Sequence, residues 1–307
     1  MNWITKIIKA GEKIKTAIKE RASKEDIANS DWTSCCKGPI LKKDLEQNLF
    51  VCPDCNKHHY ISPTQRFDIM FGKGNWNKIE SGQPPPDPYE WKDTKKYTDR
   101  LRDAKKITGQ DNAILSCETK INDIDVVVSA VNFKFIGGSI SMAEGENVLT
   151  AVDKAIEKKC AYIFISASGG MRMMTNILSL MQMTRMTVGI NELRKNNLPY
   201  IVIATSPTTG GLTASIASIS DVCIGETGAT WAFAGRRIVE NTEKSQLPEN
   251  FQTVEWAKEK SGQIDMILDR KDIHPTLGTL LSILLKKNSV ISSQQNETSE
   301  NSQSLTR

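Results

Sequence analysis

Two short apolar segments, Ala161–Ser166 and Tyr200–Thr205, each run through a glycine pair into a stretch of helical periodicity. The first pair is Gly169-Gly170, within Ser166-Ala-Ser-Gly-Gly-Met-Arg172; the second is Gly210-Gly211, within Pro207-Thr-Thr-Gly-Gly. The helical stretches are Met173–Leu193 and Leu212–Ser220. Upstream, Asp125–Val131 reads as a strand, Phe133–Ser139 carries a third pair at Gly137-Gly138, and Asn147–Lys158 is helical. Short strands alternating with helices commit the chain to an α/β domain with parallel strands, here over residues 110–287.

The glycine pairs point to chemistry as well as to packing. Glycine lets the backbone approach a ligand closely and adopt positive φ. A helix starting there aims N–H groups without helical acceptors at whatever occupies the turn. Two such turns can furnish the two donors of an oxyanion hole, so Gly169, Gly170, Gly210 and Gly211 are the candidate catalytic residues. One pair alone would be weak, because many helix starts use glycine only for close packing. Recurrence in successive strand–helix units strengthens the reading. Side-chain nucleophile chemistry finds no support: His58, His59 and His274 lie away from the glycine turns, and no G-x-S-x-G elbow occurs. Neither a P-loop nor a G-x-G-x-x-G fingerprint is present. An enzyme built this way stabilises an anion with backbone dipoles.

The N-terminal part is organised differently. Residues 1–31 read as a basic helix, with Trp3, Ile4, Ile7, Ile8, Ile14 and Ile18 at helical spacing between lysines. The bland reading, a solvated helix packed loosely on its own protein, outweighs a membrane-surface or partner helix. Residues 32–62 form a Cys/His module. Cys52 and Cys55 make a C-x-x-C knuckle whose thiolates can converge on one tetrahedral ion, whereas Cys35 and Cys36 are adjacent. Three readings stand: all four thiolates bind a structural zinc, one of the adjacent pair acts with His58 or His59, or the module holds by packing without metal. The other cysteines, Cys117, Cys160 and Cys223, sit in apolar surroundings and read as buried thiols. A linker and charged helix occupy 63–109, with Pro84-Pro85-Pro86 extended and the helix over Tyr97–Ile107. A polar tail over 288–307 offers too little apolar surface to order itself.

Composition removes several classes. The chain has 307 residues, 39% hydrophobic and 25% charged, which is ordinary globular usage. Forty Lys+Arg against 36 Asp+Glu leave a net charge of +4, too small a surplus to argue for a nucleic-acid surface. No apolar run is long enough for a membrane span, and Lys6, Lys9, Lys13 and Lys15 interrupt any secretory leader. A cytoplasmic protein is expected.

Taken in order, the ribbon cysteines, the proline-rich linker, Tyr97-Thr-Asp-Arg-Leu101, Phe135-Ile-Gly-Gly-Ser139 and Ser166-Ala-Ser-Gly-Gly170 resemble one family. Ser179-Leu-Met-Gln-Met183, Pro207-Thr-Thr-Gly-Gly211, Phe233-Ala-Gly235 and Ile264-Asp-Met-Ile-Leu-Asp-Arg270 extend the match over most of the chain. The family is that of bacterial acetyl-CoA carboxylase carboxyltransferase β subunits. The resemblance implies a ClpP/crotonase-like β-β-α superhelix preceded by a four-cysteine zinc ribbon, with Cys35, Cys36, Cys52 and Cys55 as ligands. It implies carboxyl transfer from carboxybiotin, carried on a separate protein, to acetyl-CoA, giving malonyl-CoA. The implied partners are a homologous α subunit in an α2β2 assembly, biotin carboxylase and biotin carrier protein, the last two consuming ATP. Gly137, Gly138, Arg172, Arg236 and Arg237 are the candidate CoA-binding residues. This chain departs from the family at Met174-Thr175, where a polar pair is usual, and at Ser206, where aspartate is usual. The runner-up is a carboxyltransferase or decarboxylase for another acyl-CoA. A zinc-ribbon protein that binds nucleic acid is the reading from a different class.

Overall fold

Val126, Val128 and Ala130 belong to one apolar cluster and Val127 and Val131 to another, and all five are buried. Their strand must therefore be covered on both faces, because successive side chains of a strand point to opposite sides. The same alternation continues in the neighbours: Ile163 and Ile165 join the first cluster, Tyr162 and Phe164 the second.

The computed structural model describes residues 32–35, 38–243 and 246–286. The expected N-terminal helix over 1–31, the tail over 288–307 and Cys36 lie outside the described residues. The chain divides into two units, Met1–Ile61 and Ser62–Arg307.

In the first unit, β1 (Trp32–Cys35) pairs antiparallel with β2 (Gly38–Leu41), followed by α1 (Lys42–Gln47). Ile40, Leu45 and Cys52 form its small buried core.

The second unit is built on an eight-stranded sheet. Its strands are β3 (Trp76–Lys78), β4 (Ile114–Ile121), β5 (Ile124–Val131), β6 (Ala161–Ser168), β7 (Tyr200–Thr209), β8 (Val222–Glu226), β9 (Trp231–Ala232) and β10 (Met266–Leu268). The order is β10-β8-β7-β6-β5-β4-β3, with β9 pairing off the end of β7. β3, β4 and β5 are antiparallel neighbours; from β5 to β10 every pairing is parallel. One face carries α3 (Tyr97–Thr108), α4 (Met142–Lys158), α5 (Ile177–Lys195) and α7 (Val254–Ser261), which bury Leu101, Val148, Met186, Ile190 and Val254. The other carries α2 (Pro63–Phe71) and α8 (Arg270–Leu284), which bury Phe67, Ile273, Leu277 and Leu281. Each fully buried aliphatic or aromatic side chain stabilises by about 1.5–3 kcal/mol relative to exposure. A further helix, α6 (Arg236–Glu243), buries none of its residues.

Several boundaries differ from the sequence reading, each for a local reason. The strand read over Asp125–Val131 does end at Val131, but the segment Phe133–Ser139 beyond it holds a 3-10 turn, Ile136–Gly138, with Gly137 at φ 66°. The long helix expected from Met173 begins only at Ile177, because Asn176 sits at φ 46°, which a continuing helix cannot contain. Residues Leu212–Ser220 shrink to a π-type turn, Thr213–Ala217. Among the described residues, no helix is long and apolar enough to cross a membrane.

Cys117, Cys160 and Cys223 are buried, as expected. Burial pushes the Cys223 thiol up to about 12, with the Asp265 charge adding to it, and pushes the thiol of Cys117 and the phenols of Tyr162 and Tyr200 up as well. In each case the unfolded chain releases its proton first. The stabilisation is complete below the unfolded values and is lost as pH rises above them. Stability measured by urea unfolding should therefore hold steady near neutrality and fall above about pH 9 for the cysteines and above about pH 10 for the tyrosines, by roughly 1.4 kcal/mol per pH unit for each group beyond its own onset. A flat profile from pH 8 to 10.5 would contradict the burial of these groups.

Candidate active site

The ladder between β6 and β7 is regular up to Ser166↔Ala204 and then shifts, resuming at Ser168↔Thr208. Hydroxyls lace the strand ends where the ladder breaks. Ser166 Oγ lies 2.7 Å from Thr208 Oγ1, Thr205 Oγ1 donates to Ser166 O at 2.6 Å, and Thr209 Oγ1 donates to Ser168 O at 3.1 Å. This accounts for the Ser/Thr-rich composition just ahead of each glycine pair.

The lacing brings the two glycine turns into direct contact. A Cβ on Gly170 would stand 3.2 Å from Gly211 N and 3.3 Å from Gly210 Cα, at a φ of 112°. One on Gly210 would stand 3.1 Å from both Gly169 O and Gly170 Cα, at φ 66°. Any side chain at either position would wedge the turns apart.

The N–H groups divide into occupied and unoccupied. Gly169 N–H donates to Gly137 O at 2.9 Å, and Gly210 N–H to Phe233 O at 2.9 Å. Gly170 N–H donates to Ser168 Oγ at 3.0 Å, which amends the expectation that this group is a ready donor. Among the described residues, the N–H groups of Met171 and Gly211 donate to no protein acceptor. Met171 is a residue that sequence reasoning missed, since only a full inventory of backbone bonds reveals it. Its side chain and that of Met183 cover Gly211.

Gly137 and Gly138 border the site through backbone geometry. A Cβ on Gly138 would collide with the Ala167 carbonyl, and Ile140 N–H donates to Gly170 O at 2.9 Å. Arg172 is a correction. It is buried, not turned to a ligand: its guanidinium pairs with Glu144 at 2.6 Å and donates to Tyr97 Oη at 3.0 Å. Burial works against that charge, but Glu144 and Tyr97 outweigh it and hold the guanidinium pKa above its ordinary value. Four of its five N–H donors are engaged within the protein and the whole side chain is buried, so it does not present itself to CoA phosphates. Arg236 is half-buried, pairing with Glu240 at 2.9 Å and donating to the carbonyls of Leu247 and Glu249, whereas Arg237 is exposed. On the helix that follows the first turn, Ile177, Leu180, Met181 and Val188 are exposed, as is Met173 just before it.

In the first unit, one ligand atom from each of Cys35, Cys52 and Cys55 lies within 4.8 Å of the others, and Cys35 Sγ approaches Cys55 Sγ to 3.4 Å. None of these cysteines is in a disulfide. Three converging thiols could hold a zinc ion with room for a fourth ligand.

Comparison with known proteins bears on both units. Residues 96–299 match the carboxyl transferase domain family. The whole chain is 55% identical to acetyl-coenzyme A carboxylase carboxyl transferase subunit beta of Pelagibacter ubique (strain HTCC1062), covering 99% of it. The chain belongs to this beta-subunit family. Over 93% of the chain it is also 42% identical to the beta subunit of Hirschia baltica, covering 80% of that protein. Among solved structures, a transcarboxylase 12S hexamer chain is similar at TM-score 0.59 and 16% identity, over 89% of this chain and 47% of that one. The beta subunit of a P. aeruginosa geranyl-CoA carboxylase is similar at TM-score 0.56 and 16% identity, over 79% of this chain and 42% of that one. A chain of a Pseudomonas malonate decarboxylase hetero-dimer is similar at TM-score 0.55 and 15% identity, over 73% of this chain and 86% of that one. These likenesses show the fold alone, and it is the crotonase-like α/β architecture expected of a beta-subunit family member. After the first glycine turn, Thr175 is buried and its Oγ1 lies 2.7 Å from Ser141 Oγ.

Proposed function

We propose that this chain supplies the acyl-CoA half of the acetyl-CoA carboxylase carboxyltransferase, moving a carboxyl group from carboxybiotin to the methyl carbon of acetyl-CoA to give malonyl-CoA. The observation that carries the reading is the pair of abutting glycine turns with unoccupied N–H groups at Gly211 and Met171. When the methyl carbon loses its proton, the electron pair spreads onto the thioester oxygen. Two backbone donors held in place stabilise that charge without reorganising, at about 3 kcal/mol each. The carbanion carbon then forms the new C–C bond to the carboxyl carbon, whose bond to the biotin ureido nitrogen breaks, and that nitrogen would take up the methyl proton. Biotin, on its carrier protein, supplies the activated carboxyl group. Gly170 and Gly210 serve by having no side chain, so that the turns carrying the donors can abut, with Gly169 beside them. Arg237, exposed on α6, and its neighbour Arg236 are the remaining candidates for CoA phosphates.

The partners we assign are a homologous α subunit in an α2β2 assembly, biotin carboxylase and the biotin carrier protein, acting together in the cytoplasm. The exposed row Met173, Ile177, Leu180, Met181 and Val188, next to the first glycine turn, supports an obligate partner. One set of turns serves one thioester oxygen and leaves the biotin ureido group to the other subunit. The purified chain alone should therefore show little malonyl-CoA-dependent carboxylation of free biotin, and addition of the α subunit should restore it. Full turnover by the isolated chain would sink this division of labour. The decarboxylase alternative retains only a likeness of fold.

Zinc in the ribbon would be structural. Cys35, Cys52 and Cys55 are the ligands we assign, and Cys36, or His58 or His59 in its place, would complete the set. Elemental analysis should find one zinc ion per chain, and Cys52→Ser should release it. An active preparation without zinc would leave the ribbon a packing module.

A further inference from the structure

Arg172 lies one residue beyond Met171, and its side chain is spent on the segment that faces the first glycine turn. The guanidinium donates to Ser139 O at 2.5 Å and to Ser139 Oγ at 3.1 Å, while pairing with Glu144 and Tyr97. It also lies over the Phe135 ring, 5.6 Å from its centroid. We propose that Arg172, braced by Glu144 and Tyr97, is a positioning residue that fixes the Gly169–Met171 backbone for the reaction. This rests on the carboxyltransferase reading of the same site.

The geometry supports the proposal from both sides of the turn. The segments 137–140 and 169–172 are laced by backbone bonds: Gly169 N–H to Gly137 O at 2.9 Å, Ile140 N–H to Gly170 O at 2.9 Å, and Arg172 N–H to Ile140 O at 2.8 Å. The side chain of Arg172 closes the same lace by gripping Ser139. Glu144 carries the brace into the body of the fold. Its carboxylate also accepts from Ala113 N–H and from Ser141 N–H, each at 2.9 Å, so one group ties a strand edge, the start of α4 and the turn. Tyr97 brings in the first turn of α3. A backbone pinned in this way has its conformational freedom removed before substrate arrives, which is what a preorganised donor requires. The planar fork of arginine is essential to the grip, because it reaches Ser139, Glu144 and Tyr97 at once; lysine keeps the charge and loses the fork.

The test compares the full-length chain with Arg172→Lys and Tyr97→Phe variants, each assembled with the α subunit. Arg172→Lys should lower kcat by about 10- to 100-fold, as small misplacements of reacting groups do. Its KM for malonyl-CoA should stay within about twofold of the unaltered chain. Tyr97→Phe removes one hydroxyl and keeps the ring; it should lower kcat by a smaller factor in the same way. Hydrogen exchange of the backbone over residues 166–175 should quicken in both variants, measured on the chain itself. An unchanged kcat, a KM effect in place of a kcat effect, or a kcat loss with unchanged exchange would each overturn the proposal. If Arg172→Lys fails to fold, Tyr97→Phe decides on the same readouts. If the unaltered complex carries out no carboxylation, the functional reading fails, and the exchange comparison still decides whether Arg172 holds the turn.

Discussion

Replacing Gly170 by alanine is expected to lower kcat by about 100-fold or more, the scale of losing an oxyanion donor. The residue combines two demands. Its φ of 112° lies where L side chains are strained, and its missing Cβ is what allows Gly211 N to sit 3.2 Å from that position. Strain alone costs about 1–2 kcal/mol of stability and need not affect turnover. The wedge is different, because any relief of it moves Gly211 and Met171, whose N–H groups are the unoccupied donors. Gly262→Ala provides the control. It also has positive φ, 63°, as the residue closing α7, but a Cβ there meets nothing within 4 Å. That variant should lose stability with kcat unaltered, whereas Gly170→Ala should lose kcat beyond anything its unfolding curve explains. Equal turnover in the two variants would show that contact between the turns does not matter.

The glycine turns and strands β5 to β7 were legible in the sequence because both signals are local. A run such as Ala161–Ile165 can only be a short buried strand or part of a helix, and the glycine pair behind it settles which. The ribbon knuckle Cys52–Cys55 was legible for the same reason. What the sequence hid depends on which groups pair in space, some of them far apart in the chain. Arg172 looked like a charge at the mouth of the site, yet its partners Glu144 and Tyr97 lie 28 and 75 positions away. Gly170 looked like a free donor until Ser168, two residues earlier, was seen to take its N–H. One omission had a readable signal. Ser62-Pro63-Thr64-Gln65 combines an N-cap serine, a proline at the first helical position and a glutamine that returns to the cap, with Ser62 N–H donating to Gln65 Oε1 at 2.9 Å. It lies in a stretch read as linker, and it starts α2, which packs with α8 on one sheet face.

The second large effect concerns how that helix is held. Glu226, the last residue of β8, is buried and receives two guanidiniums: Arg66 of α2 at 2.6 Å and Arg270 of α8 at 2.9 Å. Both helices that cover this face of the sheet are thus tied to one carboxylate at a strand end. Glu226→Gln keeps the shape and removes the charge, leaving two buried arginines facing a neutral amide. The expected loss is about 3–5 kcal/mol, the cost of breaking a buried pair from one side. Replacing all three residues by apolar ones of similar volume should cost less than the single change, because the desolvation of all three charges is then avoided. Urea unfolding of the single and triple variants measures both. The comparison separates a stabilising ion network from one that only fixes where α2 and α8 sit. If the triple variant is the less stable of the two, the charges contribute net stability here; if Glu226→Gln costs under about 1 kcal/mol, the triad is solvated in solution and does not hold the helices.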